Sequence, residues 1–284
     1  MANSNKENVK WFRYAAPYIN AHRGKTVVLM FGGEAVLHPN FANIIHDIAL
    51  LRSLGVKLVV VHGSRPQIDE RMEQRNIPRQ VENNIRVTDA ETLVAVKDAT
   101  GSLRIHIEAL LTMGLVNSPM HGAKVRVASA NVITAKPAGV IDGIDLQHTG
   151  FVRRIDTNAI EMLLDANNIV LLSPIGYSPA GEAFSLGHHH VATEIAVALG
   201  ADKLLALIEA DGVGDAHTTL FRELDTEQAK QLLFSIAEPA NIGNACYQAY
   251  EQIQLGELHD NHSYILPTRY LNQLPAILRV YIGC

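Results

Sequence analysis

Two short stretches carry the residue types needed to handle an anion. Val27-Val28-Leu29-Met30-Phe31 runs into Gly32-Gly33, a pair of glycines that lets backbone approach a ligand closely, usually a phosphate. His62-Gly63-Ser64-Arg65-Pro66-Gln67 repeats the arrangement after a second apolar run, this time with a guanidinium beside the glycine. The first loop has no cationic side chain to meet negative charge. Arg65 is suited to a carboxylate or phosphate, or to a buried structural ion pair, and the ion pair is the plainer expectation. A third stretch, His188-His189-His190, invites a metal ion. Consecutive side chains diverge on a strand or a helix, however. The triplet therefore reads as a solvated loop before the next helix, with no metal bound. Asp202 and Lys203 read as a solvent-facing salt pair.

The elements that must position these residues follow a strand–helix–strand order. Val27–Phe31, Val56–Val61, Ile169–Leu172 and Lys203–Ile208 are near-continuous apolar runs, the pattern of strands covered on both faces of a parallel sheet. Residues 40–54 form an amphipathic helix ended by Gly55, and a helix follows Arg65. Residues 88–114 read as a helix beginning at Thr88 or Asp89, with Gly101 dividing it. Val125–Val127 and Asn131–Lys136 read as short strands, 138–156 as a hairpin excursion, and 191–199, 226–238 and 240–255 as helices. Asp211-Gly212-Val213 reads as a turn. Residues 7–22 have apolar and aromatic side chains at helical spacing, with a kink or break expected at Pro17. This first helix is expected either to pack on its own domain or to form an oligomer contact.

The 284 residues carry a formal net charge of −5, which argues against a nucleic-acid coat. No apolar run approaches the roughly 20 residues that span a bilayer, and the first ten residues lack the apolar core of a signal peptide. Cys246 and Cys284 are too few for a disulfide framework, so a reducing cytoplasm is expected.

Six blocks in order, VVLMFGGEAV, LVVVHGSRPQID, IRVTDAETL, AKPAGVIDGIDLQHTGFVRRID, LLSPIGYSPAGEAFSL and ALGADKLLALIEADGV, resemble the amino acid kinase superfamily. PYINAHRGKT, HGSRPQID, NIRVTDAETL and HTGFVRRIDTNAI are similar to the kinase-like domain of bacterial N-acetylglutamate synthases in particular. The resemblance runs from Trp11 to about Leu255 and implies a three-layer αβα sandwich around a mainly parallel sheet. It also places Met30 where the kinases keep a lysine, and Ser64-Arg65 where they keep glycines. His189 stands where acetylglutamate kinases keep an aspartate. Met30, Gly32, Gly33, Gly63, Ser64, Arg65 and His189 are thus expected to be a degenerate kinase site without catalytic residues.

By the same resemblance, residues 1–22 form an oligomerisation arm, 23–255 a kinase-like domain, and 256–284 an atypical tail. The expected role is an arginine-sensing regulatory domain of an amino-acid N-acetyltransferase. Tyr14 and Tyr18 are the candidates for lining the L-arginine site, and the N-terminal helix joins a homo-oligomer. No cofactor is expected in this chain, because acetyl-CoA serves the transferase domain of the family. His262-Ser263-Tyr264 echo the approach to the family's closing segment, but its acidic residue and glycines do not follow. A truncated or frame-altered tail is therefore expected, with a separately encoded transferase as the alternative. The competing function is an acetylglutamate kinase-type phosphotransferase with a divergent site.

Overall fold

The computed structural model describes residues 2–82, 85–113, 125–208 and 262–267. Its centre is a six-stranded sheet in which every pairing is parallel. The strands are β1 (Thr26–Phe31), β2 (Lys57–His62), β5 (Val127–Ala128), β10 (Ile169–Leu172), β13 (Lys203–Ile208) and β14 (His262–Pro267), in the order β14-β13-β1-β2-β10-β5.

Alternate residues along these strands feed two separate cores, as a pleated strand dictates. Val27, Leu29, Phe31, Leu58, Val60 and Leu171 face one side, against α3 (Phe41–Ser53) and α5 (Ala90–Thr112). Val28, Met30, Val59, Val61, Val170 and Ala206 face the other, against α6 (Thr157–Asp165) and α7 (His188–Ala198). Helices on both faces of one parallel sheet make the three-layer αβα sandwich. The four long apolar runs coincide with β1, β2, β10 and β13.

A second sheet, in the order β12-β11-β6-β9, is built from β6 (Ile133–Pro137), β9 (Gly150–Ile155), β11 (Ile175–Tyr177) and β12 (Ala183–Ser185). Two small pairs, β3 (Val81–Glu82) with β4 (Ile85–Arg86) and β7 (Val140–Ile141) with β8 (Ile144–Asp145), complete the strands. The expected excursion in 138–156 is therefore the β7–β8 hairpin running into β9. The expected strand at Val125–Val127 lies later, at β5. The helices at 226–238 and 240–255 and the turn at Asp211 lie outside the described residues.

Three local expectations are corrected. The first helix, α1 (Ala2–His22), continues through Pro17, so there is no break at that residue. Pro17 is exposed and removes a single helical donor, which the turns around it tolerate. Gly101 does not divide α5, whose start is fixed by the Asp89 side chain accepting from Thr92 N at 2.7 Å. Buried Ala99, Leu103 and Ile107 hold the helix together across the glycine. A Cβ added at Gly101 meets nothing within 4 Å. Gly101→Ala is therefore expected to stabilise the chain by about 1 kcal/mol, the helix-propensity difference, read as a higher midpoint in thermal denaturation. Third, the histidine triplet is no loop. It is the first turn of α7, which begins at His188 after Gly187.

Among the described residues no helix is long and apolar enough to cross a membrane. The tail contributes β14, which runs in register with β13 from Lys203 opposite His262 to Ile208 opposite Pro267.

Candidate functional site

The glycine loops and the histidine turn meet at the carboxyl ends of β1 and β2, where parallel α/β sheets bind ligands. Gly63 N donates to Phe31 O at 2.7 Å, tying the two loops together. A Cβ on Gly63 would lie 2.9 Å from His188 Cε1 and 3.1 Å from Gly32 Cα. The space that the glycines keep open is thus taken up by a histidine ring and by the neighbouring loop. The Glu34 carboxylate folds back over Gly32, while Gln67 packs on Gly33 and donates from Nε2 to its carbonyl at 2.8 Å. α4 (Arg65–Gln74) starts directly after Ser64, whose hydroxyl pairs with Thr100 Oγ1 at 2.8 Å.

Met30 does not face this junction. Its side chain is 1% exposed and belongs to the core between the sheet and α7. Arg65 is half-buried, near Arg86, Arg79, Asp69 and Glu34. Burial, followed by the Arg86 and Arg79 cations, lowers its pKa, with Asp69 and Glu34 opposing. Asp69 itself pairs with Arg86 and, at 3.3 Å, with Arg79.

His62 is fully buried. Its Nδ1 donates to Gly63 O at 3.2 Å, so in the neutral ring Nε2 accepts from Ser173 Oγ at 2.9 Å. Burial lowers its pKa to about 4. His189 is 7% exposed and lowered to about 3, by burial first and then by the Arg65 cation. The His188 and His189 rings stand 3.6 Å apart, centroid to centroid. His190 turns away, its Nε2 accepting from Val152 N at 3.2 Å. The triplet is split between two surroundings. No group of three or more His, Cys, Asp or Glu among the described residues is gathered for a metal.

Tyr14 and Tyr18 are not brought to this junction. Both lie on α1, which enters the sheet at the amino end of β1, the edge opposite the glycine loops. Tyr14 is 64% exposed, with Lys10 Nζ 6.0 Å from its ring centroid. The Tyr18 carbonyl accepts from His22 Nδ1 at 2.8 Å. At the same edge Asp202 pairs with Lys25 at 2.9 Å and accepts from Thr26 N, and it also attracts the Lys203 ammonium.

Sequence reasoning missed Glu34, Thr100, Ser173 and His188 as parts of the junction. Only Glu34 had a readable signal, its place directly after the glycine pair. Phosphoryl transfer needs cations facing the moving group. At Met30 and His189 the structure offers a buried thioether and a neutral imidazole, and Arg65 is a cation beside the second loop, with Asp69 and Glu34 near it.

The description "Amino acid kinase family" belongs to the family model that matches residues 25–244. The chain is 55% identical over 220 residues to the amino-acid acetyltransferase of Ectopseudomonas mendocina (strain ymp), covering 78% of this chain and 51% of that protein. It is 52% identical over 244 residues to the amino-acid acetyltransferase of Pseudomonas fluorescens (strain SBW25), covering 86% of this chain and 55% of that protein. It thus spans about half the length of the curated relatives it matches. Among solved structures it resembles N-acetylglutamate synthase from Neisseria gonorrhoeae complexed with coenzyme A and L-arginine. There the TM-score is 0.79 at 33% identity, covering 92% of this chain and 60% of that one. Carbamate kinase from Giardia lamblia bound to AMP-PNP shares the fold, with a TM-score of 0.64 at 16% identity, covering 90% of this chain and 96% of that one.

Proposed function

This chain belongs to the amino acid kinase family, and from that premise we propose that it acts as the arginine-sensing regulatory domain of an amino-acid N-acetyltransferase, without phosphotransfer of its own. The observation that carries the reading is the junction of the glycine loops. Gly63 packs against His188 and Gly32, Glu34 sets a carboxylate over Gly32, and Met30 is sealed in the core. A nucleoside triphosphate would meet the Glu34 carboxylate and filled space over the glycines where it needs exposed amides, with no lysine at Met30 to join Arg65. The residues present do not fit that group.

The arginine part of the reading is supported by likeness to the Neisseria synthase complexed with L-arginine. In this reading Tyr14 and Tyr18 contact the effector, and α1, with Tyr14 exposed, carries the subunit contact of a homo-oligomer. The reaction served is acetyl transfer from acetyl-CoA to L-glutamate, performed by a transferase domain.

Titration calorimetry with L-arginine tests the proposal. Arginine is expected to bind and to raise the thermal midpoint, while ATP, Mg²⁺ and N-acetyl-L-glutamate yield no ADP above a protein-free blank. Steady ADP release would overturn the loss of phosphotransfer, and no heat with arginine would overturn the sensor.

A further inference from the structure

A cleft of about 230 Å³ lies between α5 and the β5–β10 side of the sheet, bordering the glycine junction at Thr100 and Ser173. One wall is a single stripe of α5: Lys97, Thr100, Gly101 and Arg104. These positions are i, i+3, i+4 and i+7, which share one helix face. The two cations are separated by about 10 Å of helix rise at 1.5 Å per residue. Gly101 sits between them, and a Cβ there would meet nothing within 4 Å. Glycine in mid-helix is disfavoured, and here no contact requires it. What its bare backbone provides is the open floor between two positive charges.

Arg104 Nε is buried and has no hydrogen-bond partner among the described residues. Glu108 Oε1 stands 3.7 Å from it, an ion-pair distance too long for a hydrogen bond, and accepts instead from Ser129 Oγ at 2.8 Å. A buried donor left open in a cleft calls for an acceptor. The opposite wall carries Ile133, Leu171 and Ile175, with Ser129 and Ser173 beside them.

We propose that this cleft binds a small dicarboxylate, one carboxylate on Arg104 and the other on Lys97, with its methylene chain over Gly101 and the apolar side chains of that wall. The volume falls below the roughly 300–1,000 Å³ of drug-sized sites and suits a small acid. Two separated carboxylates match two cations seven residues apart better than the single centre of phosphate does. The cleft also touches the glycine junction through hydroxyls. Thr100 holds Ser64 and Ser173 holds His62, so its occupant bears on the loop that starts α4. The inference does not rest on arginine binding.

Calorimetric titration of the full chain with glutarate, and separately with inorganic phosphate, tests it. Glutarate is expected to bind, and more weakly in 0.5 M sodium chloride. The Gly101→Leu variant fills the floor, and Lys97→Ala removes one exposed charge without touching the core. Each is expected to weaken glutarate at least about tenfold, equal to about 1.4 kcal/mol, with circular dichroism checking that the fold is kept. No heat with glutarate, an unchanged affinity in Lys97→Ala, or phosphate binding as tightly as glutarate would each overturn the assignment.

Discussion

Replacing Met30 by lysine is expected to destabilise the chain by about 3 kcal/mol and to leave it without phosphotransfer, although it restores the residue that the kinases of the superfamily keep there. Met30 is 1% exposed and lies in register between Val61 and Ala206 on the neighbouring strands. Its side chain packs in the core with Val28, Val191 and Ala192. An ammonium placed there either stays charged without solvent or gives up its proton, and both carry a penalty of this size. Met30→Leu is the control, with a cost below about 1.5 kcal/mol because volume and polarity are kept. Urea unfolding at pH 7 separates the two variants. If Met30→Lys were as stable as Met30→Leu and released ADP from ATP, the strand end would still open onto a working phosphate site.

The central sheet was legible because its strands are covered on both faces, so unbroken apolar runs at Val27–Phe31 and Ile169–Leu172 mark them without any periodicity. What misled the reading was local propensity. Pro17 and Gly101 are poor helix residues, yet both sit inside helices, α5 being anchored on either side of Gly101 by buried residues from Ala95 to Leu111. Packing outweighs the roughly 1 kcal/mol that glycine costs in a helix. The histidines misled in the opposite sense. Three polar residues in a row read as solvated, but His189 is buried and His188 lies against Gly63, a contact between distant segments that no local pattern contains. Similarly, β14 exists by pairing with β13, and nothing inside HSYILP identifies that partner. At the site, Met30 was informative by residue type alone. The stripe of Lys97, Gly101 and Arg104 stood in plain helical spacing, but the wall that makes it a cleft comes from strands far along the chain.

Between pH 7 and pH 5 the buried His62 and His189 are expected to cost the chain about 4 kcal/mol of stability, and Asp47 to offset part of it, for a net loss of about 3 kcal/mol. His62 has a pKa lowered to about 4, by burial first, with the Gly63 carbonyl opposing and the Arg104 cation adding to the fall. His189 is lowered to about 3, by burial and then by Arg65, and burial moves His188 in the same direction. For a base whose folded pKa lies below its unfolded value of about 6.5, the unfolded chain takes up the proton first. The stability is therefore complete above pH 6.5 and falls as pH drops towards the folded values. At about 1.4 kcal/mol per pH unit, His62 and His189 each lose about 2 kcal/mol by pH 5. Asp47 works the other way. Burial raises its carboxyl to about 6, so the folded chain takes up that proton first and regains about 1.4 kcal/mol between pH 7 and pH 5. Urea unfolding across pH 5–8 should rise to a plateau near neutrality. A His62→Gln, His189→Gln double variant will be less stable throughout, since both rings fill buried space, but its curve should lose most of the slope. Curves that run parallel from pH 5 to pH 7 would mean that the two rings are as readily protonated in the folded chain as in the unfolded one. The neutral imidazoles assigned to the glycine junction would then be wrong, and positive charge beyond that of Arg65 would be present there.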